Sequence, residues 1–226
     1  MQPTRKPRVK ICCISNTREA QLAVSYGASA LGLVSAMPSG PGVIEEALIA
    51  EIAKTIPPAV TSFLLTSQQD PEVIIEQQRR CRTNTLQICD SLHVDDYKKL
   101  RETLPGIALV QVIHVRGEES IEEAVGVAAY VHGILLDSGN PSLAVKELGG
   151  TGRMHNWEIS RKLREAVEVP IFLAGGLNAE NVGEAIRQVG PFGLDLCSSV
   201  RTNGLLDEAK LARFFERFYS AIGMGK

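Results

Sequence analysis

The sequence predicts a single α/β domain, a (β/α)8 TIM barrel, on three observations. Apolar, β-branched segments alternate with segments of helical periodicity from one end of the 226-residue chain to the other. There are eight such pairs, and each takes roughly 28 residues, which is the compact end of the range for these barrels. No linker or low-complexity segment interrupts residues 1–226. A doubly wound open sheet is the competing arrangement, but eight regular repeats favour a closed barrel.

The eight strands are expected where apolar and β-branched residues follow one another without interruption. Such continuous runs are typical of parallel strands that are buried on both faces. In chain order, the predicted strands are residues 9–14, 30–34, 60–65, 85–88, 107–115, 131–136, 169–174 and 193–196.

The helices between the strands are predicted by capping residues and by apolar stripes. Asn16 is expected to cap the first helix, with Glu19 at the capping-box position, and Gly27 is expected to end it. Asn178 is expected to cap the seventh helix. The i, i+3, i+4, i+7 spacing of a buried helix face occurs twice near the C-terminus, at Val182, Ala185, Ile186 and Val189 and at Leu211, Phe214, Phe215 and Phe218.

Composition and charge argue against several classes of function. The formal net charge is −2 and there is no basic stripe, so we expect no nucleic-acid partner. No apolar run approaches the ~20 residues of a membrane span, so we expect no membrane partner. Arg5, Lys6, Arg8 and Lys10 are not followed by the apolar segment of a signal peptide. We interpret them as a solvated basic stretch, with residues 1–7 as an N-terminal tail.

The five cysteines indicate reduced thiols in a cytoplasmic protein. Their number is odd, and none of them has the C-x-x-C spacing of a zinc or redox site. The four histidines also lack the spacing of metal ligands. We therefore expect no metal site.

The last three strands end in residues suited to binding a phosphate group. In TIM barrels the active site lies at the C-terminal ends of the strands, often with a phosphate site in the last βα loops. Glycines let backbone N–H groups approach an anion closely. The substrate is therefore expected to be a small, phosphorylated, sugar-like molecule. We expect its phosphate to bind at Gly150, Thr151, Gly152, Gly175, Gly176, Ser198 and Ser199.

Cys12 at the end of the first strand and Asp137 at the end of the sixth are candidates for proton transfer. A thiol beside a positive helix terminus can have a lowered pKa and act as a base. A carboxyl group that an apolar setting keeps protonated can act as an acid. Taken singly, each residue is more often structural, as a buried thiol or a turn-capping carboxylate. Alternation along the strand predicts that the Cys13 side chain points to the opposite face from Cys12.

Four motifs, in order along nearly the whole chain, resemble those of the phosphoribosylanthranilate isomerase family. Residues 10–13 read Lys-Ile-Cys-Cys where the family has Lys-Ile-Cys-Gly. Residues 149–152 read Gly-Gly-Thr-Gly and are followed by Trp157. Residues 173–182 give Leu-Ala-Gly-Gly-Leu-Asn-Ala-Glu-Asn-Val, and residues 193–200 give Gly-Leu-Asp-Leu-Cys-Ser-Ser-Val. The two glycine motifs in this order make the resemblance specific.

The resemblance implies an Amadori rearrangement of an N-linked 5-phosphoribosyl amine to a 1-amino-1-deoxyribulose phosphate. Asp137 would be the general acid that protonates the ring oxygen, and Cys12 the general base that takes the C2 proton. This reaction requires no cofactor or metal. Asp195, Cys89 and Arg201 are expected to contact the substrate, and the protein is expected to be a monomer or a homodimer.

Three positions depart from the family pattern. Pro41 stands where the family has an arginine for the anthranilate carboxylate, while Cys89 replaces a histidine and Arg201 a glutamate. Three interpretations stay open: another cation such as Arg201 or Arg153 binds the carboxylate, the substrate is a related phosphoribosyl amine, or the barrel binds a phosphorylated metabolite without catalysis. Because proline cannot donate a hydrogen bond, the KM for phosphoribosylanthranilate should be raised unless another cation compensates.

Overall fold

A computed structural model describes residues 3, 6–150 and 152–224 and contains the predicted closed barrel. Eight parallel strands are hydrogen-bonded in sequence order, and the last pairs with the first. The strands are β1 (Arg8–Ile11), β2 (Ala30–Val34), β3 (Thr61–Thr66), β4 (Thr85–Ile88), β5 (Ala108–His114), β6 (Gly133–Asp137), β7 (Ile171–Leu173) and β8 (Gly193–Leu196). In the part of the chain that the structure describes, no helix is both long and apolar enough to span a bilayer.

Eight α-helices surround the strands, as the alternating pattern predicts. They are α1 (Thr17–Tyr26), α2 (Glu46–Thr55), α3 (Pro71–Cys81), α4 (Val94–Thr103), α5 (Glu119–Ala128), α6 (Trp157–Ala166), α7 (Val182–Val189) and α8 (Glu208–Ala221). Asn16 accepts a hydrogen bond from the Glu19 N–H at 2.9 Å, and Gly27 ends α1 at φ +110°. The Asn16 cap and the end of α1 at Gly27 are confirmed, but the capping box is not formed, because the Glu19 carboxylate accepts from the Ser15 N–H at 3.0 Å instead of from Asn16. The α7 helix begins at Val182 rather than next to Asn178, because the Asn178 side chain caps the preceding turn instead.

The apolar side chains form two layers, one between the strands and the helices and one inside the barrel. Strand residues such as Ile11, Leu31 and Leu64 belong to the outer layer. Inside the barrel, Phe63 and Phe172 meet edge to face, with ring centroids 5.8 Å apart. Side chains alternate between these layers along each strand, which is why the strand sequences show no solvent-exposed polar face.

Two expectations about the N-terminal segment are wrong. The first strand stops short of residue 14, because Cys13 has φ +62° and leaves the extended conformation. Lys10 does not belong to a solvated stretch, since its side chain is fully buried. Lys6 and Arg8 are exposed as expected. Arg5 lies outside the described residues.

After β8 the chain forms elements that the sequence does not predict. They are a 3₁₀ turn (Ser198–Val200) and a hairpin of β9 (Arg201–Thr202) and β10 (Leu205–Leu206). Arg201 fixes this hairpin to α1, since its Nη1 lies 3.2 Å from the Glu19 carboxylate and donates to the Gly204 carbonyl at 3.0 Å. The Leu206 N–H donates to the same carboxylate at 2.9 Å. Both charged side chains are more than nine-tenths buried.

We expect Arg201→Ala to lower the free energy of unfolding by about 3 kcal/mol, because Glu19 would remain as a buried and unpaired charge. Urea denaturation measures this change. Arg79→Ala, which removes an exposed ion pair with Glu76, is the matched control and should leave the urea concentration at half-unfolding unchanged. An unchanged midpoint in Arg201→Ala as well would contradict the structural role of this residue.

Candidate active site

A cavity of about 690 Å³, including its open mouth, lies at the C-terminal ends of the strands. Thr151 lies outside the described residues. Arg201 is not among the lining residues; it lies behind the end of β1 and donates to the Cys12 carbonyl at 3.0 Å. The lining brings together the other residues proposed from the sequence, namely Cys12, Cys89, Asp137, Gly150, Gly152, Gly175, Gly176, Asp195, Ser198 and Ser199.

The Cys12 thiol lies close to a buried ammonium group inside the barrel. Lys10 Nζ is 2.8 Å from Asp195 Oδ2, on the neighbouring strand β8. Gly32 on β2 provides the space for this arrangement. A side chain at Gly32 would begin 2.7 Å from Cys12 Sγ and 3.1 Å from Lys10 Nζ, so any larger residue would displace one of them.

The surroundings of Cys12 favour the thiolate. The neighbouring Cys13 thiol, as a hydrogen-bond donor, and the charge of Lys10 lower the pKa of Cys12 to about 6 in spite of its burial. Burial acts to lower the pKa of Lys10, but the Asp195 carboxylate and the Cys12 thiolate more than offset it and raise this pKa. Lys10 is therefore charged at neutral pH, and Cys12 is in the form that can accept a proton.

Cys13 faces the same cavity as Cys12, so the expected placement on the opposite face is wrong. The turn at Cys13 brings its Sγ to 2.8 Å from Cys197 Sγ and to 3.5 Å from the Pro41 carbonyl oxygen. Hydrogen bonding with Cys12 and Cys197, together with burial, raises the pKa of Cys13. Cys13 is therefore a protonated neighbour of Cys12 and cannot serve as an inert control for it.

Asp137 lines the cavity at the end of β6. Its Oδ1 accepts a hydrogen bond from the Ser138 N–H at 2.7 Å. The backbone of Gly149 passes closely over the other oxygen, since a Cβ at this position would be 2.6 Å from Asp137 Oδ2. The loop after β6 therefore covers the carboxyl group, which is 8% exposed, and holds it in one position.

The loops after β6, β7 and β8 form a glycine-rich end of the cavity. Gly150, Gly152, Gly175 and Gly176 all have positive φ, a conformation that glycine adopts without strain. At Gly176 the backbone also comes close to another loop, since a Cβ there would be 2.9 Å from the Met154 nitrogen. Ser199 Oγ is buried and has no hydrogen-bond partner among the described residues. Glycines with positive φ and a hydroxyl without a protein partner are features typical of loops that bind anions.

The end of the cavity at β2, β3 and β4 is largely apolar, with Gln87 on β4 as a polar lining residue. Burial raises the pKa of Cys89, so this residue is a neutral thiol. A surface of this kind accepts a flat apolar ring. The residues that form it are Val34, Met37, Leu65, Cys89 and Leu148.

Comparison with known proteins identifies the family. Residues 9–217 match the family model described as N-(5'-phosphoribosyl)anthranilate isomerase. The chain belongs to this family. A relative named N-(5'-phosphoribosyl)anthranilate isomerase 2, from Methanosarcina mazei, is 35% identical over 212 residues, which cover 93% of each chain.

Solved structures of this isomerase family extend the match to the fold. The phosphoribosyl anthranilate isomerase of Thermotoga maritima superposes with a TM-score of 0.81 at 28% identity, over 95% of this chain and 99% of that one. A second isomerase was solved in complex with reduced 1-(o-carboxyphenylamino)-1-deoxyribulose 5-phosphate. It has a TM-score of 0.79 at 26% identity, over 95% and 99% of the two chains. The family resemblance seen in the motifs is confirmed.

Sequence reasoning misses the role of Lys10, although a signal for it is present. Val9 and Ile11 pack in the outer layer, so alternation places the intervening Lys10 inside the barrel. A lysine there requires a buried carboxylate, and Asp195 occupies the paired position on β8. The sequence gives no comparable signal for Cys197, because its contact depends on the turn that follows β1.

We expect a thiolate to form in the folded protein as the pH rises through about 6, since the pKa of Cys12 is lowered to that value. Ultraviolet absorbance of the thiolate measures this titration. Cys12→Ser should abolish the transition, whereas Cys81→Ser should leave it unchanged because burial raises the pKa of Cys81 to about 12. A first transition in the range of an ordinary cysteine would contradict the assignment.

Proposed function

We propose that this chain isomerises N-(5'-phosphoribosyl)anthranilate to 1-(o-carboxyphenylamino)-1-deoxyribulose 5-phosphate. The observation that carries the proposal is one cavity that contains a thiolate-favouring Cys12, the carboxyl group of Asp137 and a glycine-rich end for a phosphate. Membership of the isomerase family supports it, as does the relative solved with a reduced deoxyribulose phosphate.

The first step opens the ribose ring. The Asp137 carboxyl group donates its proton to the ring oxygen, and the C1–O bond breaks while the nitrogen lone pair forms a C1=N bond. The product of this step is a positively charged Schiff base with a free hydroxyl on C4. General acid catalysis suits the step because an unprotonated ring oxygen would leave as an alkoxide.

The second step moves a proton from C2. The Cys12 thiolate takes this proton, the C–H electron pair forms a C1=C2 bond, and the C1=N electrons return to nitrogen. The enolamine then becomes a ketone, as C1 gains one proton and the C2 hydroxyl loses one. Proton exchange at this stage restores the Cys12 thiolate and the Asp137 carboxyl group.

Lys10 and Asp195 support these transfers without receiving the protons. The charge of Lys10 stabilises the thiolate of Cys12. Asp195 Oδ2 binds Lys10, whereas Asp195 Oδ1 is buried and has no hydrogen-bond partner among the described residues. Because Asp195 also lines the cavity, we assign Oδ1 to a hydroxyl of the sugar. Arg201 contributes by holding the Cys12 carbonyl, in place of the direct substrate contact proposed from the sequence.

The two ends of the cavity bind the two ends of the substrate. The phosphate binds at the glycine-rich end, where Ser199 Oγ and the backbone of the last three loops are available. Thr151 belongs to this proposal on its sequence position. The anthranilate ring lies against the apolar end, where Cys89 is a neutral contact. The oligomeric state, monomer or homodimer, and a cytoplasmic location stay predictions.

A second candidate substrate is a phosphoribosyl amine without a carboxylate. Pro41 favours it, because this residue lines the cavity and offers no N–H donor. The chemistry would be unchanged, since both substrates react at C1 and C2 of the sugar. Comparing phosphoribosylanthranilate with phosphoribosylaniline separates the two candidates.

The purified protein should consume phosphoribosylanthranilate that is made in situ, as followed by the loss of its fluorescence. Cys12→Ser and Asp137→Asn should each lower kcat by about 10²–10⁴-fold with little change in KM, because each removes a proton-transfer group. Arg79→Ala should keep the full rate. Absence of wild-type activity would contradict the proposal, and activity on phosphoribosylaniline alone would favour the second candidate.

Ser199→Ala tests the phosphate end of the cavity. Since Ser199 Oγ has no partner among the described residues, its removal should leave the thermal midpoint unchanged. Loss of one hydrogen bond to a charged phosphate should weaken inhibition by inorganic phosphate about tenfold. Ser25→Ala, on the exposed side of α1, is the control. Inhibition that is equal in both variants would mean that the phosphate binds elsewhere.

A further inference from the structure

The proposed substrate carries a carboxylate that the cavity does not neutralise by itself. Among the described residues that line it, none is a lysine or an arginine, and two are aspartates, Asp137 and Asp195. A carboxylate transferred from water to such a surface needs a cation or hydrogen-bond donors. Pro41 provides neither, and a cation at the margin of the cavity would meet this need.

Lys146 lies at the margin of the apolar end. Its carbonyl accepts a hydrogen bond from Ser39 Oγ at 2.6 Å, and Ser39 lines the cavity in the loop after β2. The Lys146 ammonium binds the carboxylate of Asp90, which is 7% exposed and directly follows Cys89, the cavity residue just after β4. Lys146 therefore bridges two loops, with its backbone at the loop after β2 and its ammonium at Asp90 after β4, on the side where we place the aromatic ring.

The two cations proposed from the sequence are less suited to this task. Arg201 is buried against Glu19 and the Cys12 carbonyl, behind the cavity wall. Arg153 belongs to the glycine-rich end, since its carbonyl would be 3.0 Å from a Cβ at Gly175.

We propose that Lys146 binds the carboxylate of the anthranilate ring, and so replaces the arginine that the family has at the position of Pro41. This inference rests on the proposed isomerase function. A lysine ammonium has three donors, so it can hold Asp90 and the substrate together. The Lys146 side chain is 39% exposed, so part of it stays open to solvent beside its ion pair with Asp90. Lys146 thus determines specificity and does not take part in proton transfer.

The test compares two substrates in three variants. Lys146→Met should raise the KM for phosphoribosylanthranilate about 10- to 100-fold, the effect of losing a hydrogen bond to a charged group. Its kcat should change little, because the carboxylate is bound equally in the ground state and the transition state. Lys146→Arg should restore most of the affinity. Lys98→Met, which removes an exposed lysine on α4, is the matched control.

Phosphoribosylaniline, which lacks the carboxylate, is the second substrate of the comparison. Its KM should be the same in the wild type and in Lys146→Met. An unchanged KM for phosphoribosylanthranilate in Lys146→Met, or equal increases for both substrates, would overturn the assignment to the carboxylate. A wild type that turns over neither substrate would contradict the proposed function itself, so the two failures are distinguishable.

Discussion

A buried positive charge inside the barrel is the constraint on which the rest of the site depends. Moving an ammonium group out of water is costly, and a buried ion pair recovers this cost only with good geometry. Lys10 has such geometry, with Asp195 Oδ2 at 2.8 Å and the centroid of the Phe63 ring at 5.2 Å from its Nζ. The pair also requires that Gly32 has no side chain. We interpret it as a functional feature, since it holds a cation close to Cys12.

The loop between β6 and α6 organises both ends of the cavity. At one end, its Gly149 covers Asp137 and its Gly150 packs against Pro41, so the carboxyl group proposed as the general acid and the glycines proposed for the phosphate are positioned together. At the other end, Lys146 of the same loop reaches Asp90. One segment thereby sets the distance between the groups proposed for the phosphate and for the carboxylate.

The sequence predicts the elements that short-range patterns determine. It fails where a single turn, or a contact between distant residues, determines the position of a side chain. The eight strands follow from uninterrupted apolar runs, and the glycine-rich loops fall at the strand ends that the barrel rule indicates. Cys13 is mispredicted because one positive φ reverses the direction of its side chain. Lys146 and Asp90 are far apart in sequence, and their pairing leaves no local pattern. The burial of Lys10 was predictable from the alternation of side chains along β1, but the basic residues near it suggested a solvated tail.

The pH dependence of kcat/KM in the wild type and in Lys10→Met tests the central claim most directly, because its acid limb reports the pKa of the free enzyme's base. In the wild type we expect activity to fall as the pH drops through about 6, where Cys12 becomes protonated. Methionine keeps the length of Lys10 without its charge, so the acid limb should move to higher pH. An unchanged acid limb in a Lys10→Met protein with native circular dichroism would contradict the role of the buried charge.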